Sequence, residues 1–423
     1  MRTLIAIGIL TGLTHSPSSA QQPVGVLNLT LSTNPGGKQS EILVTGPNGY
    51  SRRLSGSEKL VNLADGQYSF SGEITIQREP SISKAFRPTP ITVTVKRDTQ
   101  NVNIGYKLMP GSDKLWLGNQ NAPAGKSLHI VAFSDQQLGT SSAQSEPVTK
   151  LTGKATSIKS LAFDADGNLW TADAGTIKMY PWHKLGDTNV TASITLMHEA
   201  SCLAFDPAGN LWFADGKTAS KVMRIQKTGL NQSGSNKVDI TLSGTSFKGT
   251  QGLAFDAAGN LWAANYGKND VVKIPTNLLG TPSTALNDLL SVTCMSKPPV
   301  INTLSAPKGM AFDLQGNLWV GYFGPNVIAQ IPASQLQQSG KITPEIQFTL
   351  NVSVLLHQLA FDEDGALWTV LSTGKFGKIS PQQLTTSGKK SPDVIITSSE
   401  LNYGSGIAIY PHPQGYPIQP TVR

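Results

Sequence analysis

The chain has 423 residues, 39% hydrophobic and 14% charged, with a formal net charge of +7. So low a charged fraction excludes a disordered or coiled-coil protein, and the length allows one large domain plus a small one. Its lysines and arginines are scattered, which describes a solvated basic surface. An acidic envelope polymer could be attracted to it, but nucleic acid is not indicated as a partner.

Residues 1–20 carry one Arg, an apolar run from Leu4 to Leu13 and small residues ending at Ala20. This pattern is expected of a secretory signal peptide cut after "SSA". No Cys follows the cut, so no lipid anchor is expected there. Losing Arg2 takes the charge from +7 to +6. Later segments contain no apolar run near the ~20 residues that cross a bilayer, so the expectation is a monomer without a membrane span, secreted or held in the periplasm or cell envelope.

From 24 to 108 the apolar residues alternate, as in Leu27, Leu29 and Leu31, in Ile91, Val93 and Val95, and in Val102, Ile104, Tyr106 and Leu108. The turn signals "GPNG" and "ADGQ" lie between these runs. The segment is expected to form a small antiparallel β-sandwich. In "ILVTGPNGYSRRLSG" and "LADGQYSF" it resembles immunoglobulin-like or transthyretin-like modules. Residues 109–113, "MPGSD", read as a linker.

A thirteen-residue phrase then recurs: "LAFDADGNLWTAD" at Leu161, "LAFDPAGNLWFAD" at Leu203, "LAFDAAGNLWAAN" at Leu253, "MAFDLQGNLWVGY" at Met310 and "LAFDEDGALWTVL" at Leu359. Spacings of 42 to 57 residues belong to propellers or solenoids. Each copy reads as strand, type I turn and return strand, with Asp opening the turn and Gly closing it. "DADGN" could be mistaken for the start of a calcium loop, but Asp166 has Ala in its place in the next two copies. A phrase such as "VVKIPTNLLGT" supplies a third strand, and segments such as "VDITL" supply a fourth, which makes a four-stranded propeller blade.

A return strand stands alone at "KLWLGN" (114–119) and a first strand stands alone at "GIAIYP" (406–411). Joined, they complete a sixth blade from the two ends of a domain spanning 114–418 and close the ring. Trp116, Trp170, Trp212, Trp262, Trp319 and Trp368 share one return-strand position. They are expected to pack between neighbouring blades, with Trp182 outside the pattern.

These units, followed by "N-x-V-x-x-I" at Asn269–Ile274 and Asn326–Ile331, resemble NHL-type repeats, and especially the streptogramin (virginiamycin B) lyase group of propellers. That group has seven blades, whereas six are counted in this chain. The repeat carries fold rather than activity.

Loops before each first strand and after each return strand emerge on one face, around the channel mouth. Two positions before each first strand stand Lys159, Ser201, Gln251, Lys308, His357 and Ser405, the expected inner ring. After the return strands come Asn119, Asp173, Asp215, Asn265, Tyr322 and Leu371. The candidate ligand-binding set is Lys159, Gln251, Lys308, His357, Asp173, Asp215, Asn265 and Tyr322. Lys308 and His357 would form a cationic side and Asp173 and Asp215 an anionic one, suited to a polar or anionic ligand held by Lys308 and hydrogen-bonded by Gln251. The alternative is that these residues merely solvate the channel entrance.

The lyase resemblance implies a catalytic His two positions before a first strand, matched by His357. It also implies a Glu ending the next return strand, where this chain has Leu371, and a magnesium ion. A lactonase-like six-bladed enzyme is the other enzymatic reading, with Asp173, Asp215 and Asn265 as oxygen donors to a divalent ion. No cofactor is otherwise expected; Mg or Ca would enter only with an enzyme. The preferred reading is an exported binding or scaffold protein whose mouth contacts a ligand or envelope partner. Cys202 and Cys294 fit either two buried thiols or a bridge pinning the 293–309 loop beside the mouth.

Overall fold

The computed structural model describes residues 24–37, 41–121, 130–151, 157–216, 220–235, 238–297, 303–352, 356–371 and 374–416. The segment read as a signal peptide lies outside them. The described chain is nearly all β, with one four-residue helix, Asp135–Leu138, and short 3-10 turns. It separates into two compact units.

One unit comprises 24–32, 41–71 and 90–105. Its two sheets share a single core. Gly25–Leu31 pairs antiparallel with Glu58–Leu63 and parallel with Thr99–Ile104. The other sheet orders Ser51–Leu54, Ile42–Thr45, Gly66–Gly72 and Ile91–Val95. The alternating residues Leu27, Leu29, Val102 and Ile104 meet Ile42, Val44, Tyr68 and Phe70. The rest of the 24–108 stretch belongs to the second unit. Thr75–Gln77, Lys84–Pro88 and Tyr106–Leu108 form a small sheet there. Ile74, Ala85 and Met109 enter the core cluster of Trp116, and Arg87 pairs with Asp166 at 3.3 Å while lying 4.8 Å over the Trp182 ring.

The second unit is a β-propeller in architecture, built from antiparallel four-stranded sheets. Its inner strands are Ser160–Phe163, Ala200–Phe205, Thr250–Phe255, Pro307–Phe312, Leu359–Phe361 and Gly404–Tyr410. Each contacts the next, and Gly404–Tyr410 contacts both Leu359–Phe361 and Ser160–Phe163, so the inner strands form a closed ring. Gly404–Tyr410 pairs antiparallel with Lys114–Asn119, Ile409 opposite Leu115 and Ile407 opposite Leu117. The two ends of the propeller sequence thus meet in one sheet.

The repeated Asp and Trp have a common physical cause. Asp313 Oδ1 accepts hydrogen bonds from the Gln315 and Asn317 amides at 3.0 and 2.9 Å, and its Oδ2 accepts from Trp319 Nε1 at 2.9 Å. Asp164, Asp206, Asp256 and Asp362 receive Trp170, Trp212, Trp262 and Trp368 in the same way at 2.8–3.0 Å. A buried indole N–H needs an acceptor, and a short carboxylate at the turn supplies it without leaving the turn. The closing sheet has no such turn, because its two innermost strands, Gly404–Tyr410 and Lys114–Asn119, come from opposite ends of the domain. There Trp116 Nε1 donates to the Gly111 carbonyl at 2.8 Å. The indoles of Trp116, Trp170, Trp212, Trp262 and Trp319 meet Phe163, Phe205, Phe255, Phe312 and Phe361 of the next sheet at 5.9–6.4 Å. Trp368 instead packs with Ile407 and Ile409.

The outer edges of the five sheets other than the closing one are also covered. Val292–Cys294 pairs parallel with Gly340–Ile342 of the following unit, and Phe348–Leu350 with Gly388–Lys390. Single parallel bridges repeat this at Leu196 with Gly234, Leu242 with Ser283, and Ile396 with Ser142. Four serines anchor the belt: Ser141, Ser233, Ser339 and Ser387 accept from amides of the adjoining strand at 3.0–3.1 Å. Covered edges cannot template pairing with another chain.

Cys202 and Cys294 are both buried and free, contrary to the bridge expectation. Cys202 lies on an inner strand, whereas Cys294 ends an outer strand of the adjacent sheet and packs in the Trp262–Leu304 core. Burial pushes both thiols up to about 12.

Candidate functional site at the mouth of the ring

Inner strands of a propeller run close together, and the residues just before them decide what the channel mouth contains. Gly252 and Gly309 follow Gln251 and Lys308. A Cβ on Gly252 would lie 2.0 Å from the Lys308 carbonyl oxygen, and one on Gly309 would lie 2.3 Å from that of His357. Only glycine permits this approach. It draws Gln251, Lys308 and His357, from three consecutive sheets, to one side of the opening.

A cavity of about 190 Å3 opens there, lined by Lys159, Ser201, Gln251, Lys308, His357 and Ser405 together with Gln120, Gly216 and Gln358. The structure therefore gathers all six inner-ring positions around one space. They are not chemically equivalent. Ser201 Oγ donates to the Thr250 carbonyl at 2.7 Å, and Ser405 Oγ donates to the Ile158 carbonyl, so both stitch neighbouring sheets. Lys159 pairs with Glu199 at 3.2 Å.

Lys308 has no carboxylate within ion-pair distance among the described residues. Its ammonium instead lies 4.0 Å from the Phe323 ring centroid and 5.6 Å from that of Tyr266. Cation–π attraction of this kind compensates about 0.5–2 kcal/mol of desolvation. Burial pushes the amine down to about 8. His357 sits between the Phe323 and Tyr403 rings, at 5.7 and 6.1 Å, with its Nε2 buried and unbonded. Burial, and then the Lys308 charge, push the imidazole down to about 3, so it is neutral in ordinary buffers.

Gln358 forms the floor and was not singled out in the sequence. Its Oε1 accepts from the Leu161 and Ile407 amides at 3.2 and 3.0 Å, and its Nε2 donates to Ser160 Oγ at 3.0 Å. These bonds tie inner strands across the channel. Below lies a second cavity of about 120 Å3, lined by apolar inner-strand residues and by His412, Pro413 and Tyr416. The signal for Gln358 was available: where two other units have Gly immediately before "LAF" or "MAF", this one has a long amide.

The return-strand ends do not line the mouth, so the expected anionic side is absent among the described residues. Asp173 is fully buried; its Oδ1 accepts from the Ser157 and Ala174 amides at 2.8 Å each, and its Oδ2 is paired with Lys178. Asn265 is also fully buried, donating to the Ser246 carbonyl and Asp270 and accepting from Thr250 Oγ1. Tyr322 is buried against Cys294 in the core, and Leu371 is buried as well. Asp215 is half-buried and stands outside the lining. Asp173 and Asn265 pin the segments that enter the inner strands, and their polar atoms are consumed in doing so, whereas the Tyr322 hydroxyl is buried without a hydrogen-bond partner.

No protein-family model and no curated protein matches the sequence. Among solved structures the chain is similar to a streptogramin B lyase, at 17% identity and TM-score 0.36, over 53% of this chain and 66% of that one. It is similar to a catalytically inactive virginiamycin B lyase from Staphylococcus aureus with quinupristin, at 16% identity and TM-score 0.40, over 64% and 83%. It is also similar to a protein of unknown function from Bacteroides caccae, at 14% identity and TM-score 0.43, over 67% and 98%. The likeness is one of fold. The chain spans about two thirds of the streptogramin B lyase structure, and the chemistry of the mouth rests on the residues of this chain alone.

Proposed function

We propose that this chain is an exported binding protein: a six-bladed propeller of NHL-like repeats, preceded by a small immunoglobulin-like or transthyretin-like module, that captures a ligand or an envelope component in its channel mouth. The observation that carries the reading is the 190 Å3 polar cavity. Its wall is built from one equivalent position of every inner strand, yet those positions differ in chemistry where the core positions agree. A scaffold kept constant around a specialised opening is what ligand capture requires. Export rests on the N-terminal sequence pattern.

The enzymatic readings draw less support. Lyase-like chemistry would pair His357 with a carboxylate, and lactonase-like chemistry would gather oxygen donors around a Mg or Ca ion. Among the described residues the lining contains no carboxylate, Asp173 and Asn265 are committed elsewhere, and Leu371 stands at the acid position.

The test is a ligand-observed NMR screen of small polar compounds against the mature chain and against Gln251→Trp, which fills the mouth. Compounds that bind the parent and not the variant, with unchanged melting, are the expected result. Binding that survives the filled mouth, or no binding at all, overturns the reading.

A further inference from the structure

The mouth is electrostatically incomplete. Among the described residues its lining includes two lysines, one imidazole and several neutral hydrogen-bonding groups, with no acid. Lys159 has its partner in Glu199, whereas Lys308 is held in place by two aromatic faces and lacks a counter-charge among the described residues. A half-buried ammonium without an anion is a costly arrangement that an incoming anion would relieve. Beside it, His357 Nε2 is a second polar atom without a partner in the same wall. The two are on adjacent inner strands, brought together by the Gly309 contact.

We infer that the mouth takes a small organic carboxylate, its anionic end on Lys308 and its body in the cavity between Gln251, His357 and Ser405. This rests on the binding reading above and narrows it to a chemical class. Several features favour a carboxylate over a phosphate. Among the described residues the lining has no arginine fork to grip a multiply charged oxyanion, lysine acts as a single point charge, and the rings packed behind Lys308 and His357 leave that wall weakly polar apart from one cation. Size agrees: at about 30 Å3 of liquid volume per water, the cavity of about 190 Å3 admits a compact organic acid.

The groups around Lys308 make capture depend on its proton. Tyr266, Phe323, His357 and, across the cavity, the Lys159–Glu199 pair surround it, and among the described residues no carboxylate lies within ion-pair distance of Lys308. With the amine pushed down to about 8, the cationic form that binds a carboxylate is dominant at neutral pH and is lost above 8. Affinity then falls about tenfold for each further pH unit. His357 stays neutral throughout that range.

Isothermal titration of the mature chain with benzoate and acetate, against benzamide and inorganic phosphate, tests the class. Benzoate is expected to bind most tightly and benzamide not measurably. Benzoate affinity should drop at least tenfold in Lys308→Met, and about thirtyfold between about pH 7 and about pH 9.5 in the parent. The pH series needs no variant and so stands even if Lys308→Met folds poorly. Benzamide binding as well as benzoate, phosphate binding better than either carboxylate, or a flat pH profile overturns the inference. If neutral compounds bind and Gln251→Trp abolishes them while carboxylates do not bind, the binding reading stands and the carboxylate class falls.

Discussion

Replacing Asp313 by Asn changes one atom and should unseat the turn between two strands. Asp313 is nearly buried, and its Oδ1 accepts from the Gln315 and Asn317 amides while its Oδ2 accepts from Asn317 Nδ2 and Trp319 Nε1, all at 2.9–3.0 Å. Every neighbour is a donor. An asparagine has one oxygen, so either rotamer turns its NH2 toward two N–H groups. Rotation cannot help, because Oδ1 and Oδ2 are both in use. Each buried donor left unsatisfied costs about 1–3 kcal/mol, and partial relaxation places the total near 2–4 kcal/mol. For a domain this large that is a fall in Tm of roughly 5–10 °C. The exposed neighbour substitution Gln315→Ala keeps its backbone amide and should stay within about 0.5 kcal/mol. Differential scanning calorimetry of the two variants reads the difference. An Asp313→Asn chain that melts with the parent would show that the carboxylate is not the acceptor that fixes Trp319, and the account of the repeat would be wrong.

Deleting 404–416 removes the strand paired with Lys114–Asn119 and bares a sheet edge; light scattering should show association, and a monomer with unchanged melting would refute the closure argument. Cys202 and Cys294 should resist alkylation in the native chain and take up two alkyl groups once unfolded without reductant, whereas uptake of none would reveal a bridge. Gly309→Ala forces a Cβ to 2.3 Å from the His357 carbonyl and should cost about 1–3 kcal/mol, read by urea denaturation; a neutral effect would mean the strands stand farther apart. His357 and His412 are pushed down from 6.5 to about 3 and about 4, mainly by burial, so the unfolded chain binds more protons below 6.5. Their contribution is complete above that value and is lost as pH falls toward 4; the urea midpoint should drop between pH 7 and pH 5, less so in a His357→Asn/His412→Asn chain.

The repeat made most of the propeller unit legible, because a carboxylate, a glycine and an indole at fixed spacing each meet a backbone or packing demand that recurs in successive units. Closure was legible for the same reason, as two half-units without partners. What failed was the assignment of side chains at the return-strand ends. Asp173 and Asn265 are polar residues at strand ends near the mouth, and sequence alone does not reveal that the segment entering the inner strand folds against them and takes up their polar atoms. The division inside 24–108 was equally hidden. Its strands alternate throughout, but Ile74, Ile82 and Ala85 bury their side chains among propeller residues, and alternation does not say against which core a strand packs. The sequence left two buried thiols and a bridge open for Cys202 and Cys294, since a position in the chain does not tell an inner strand from an outer one, and the structure has the two thiols.

Stability and recognition are kept in different places in this unit. The Asp–Trp bonds hold the turns, the serine-anchored belt holds outer edges, and Asn119, Asp173 and Asn265 hold the segments that enter the inner strands. At the mouth, Ser201 and Ser405 continue that work by bonding to neighbouring backbone, and Lys159 is neutralised by Glu199. Gln251, Lys308 and His357 remain, side by side on three sheets, with their backbones pressed together by two glycines. A cation kept from its counter-ion there contributes nothing to folding that an apolar residue could not supply, and its burial is a cost. Such a residue makes physical sense when the missing charge arrives with a ligand.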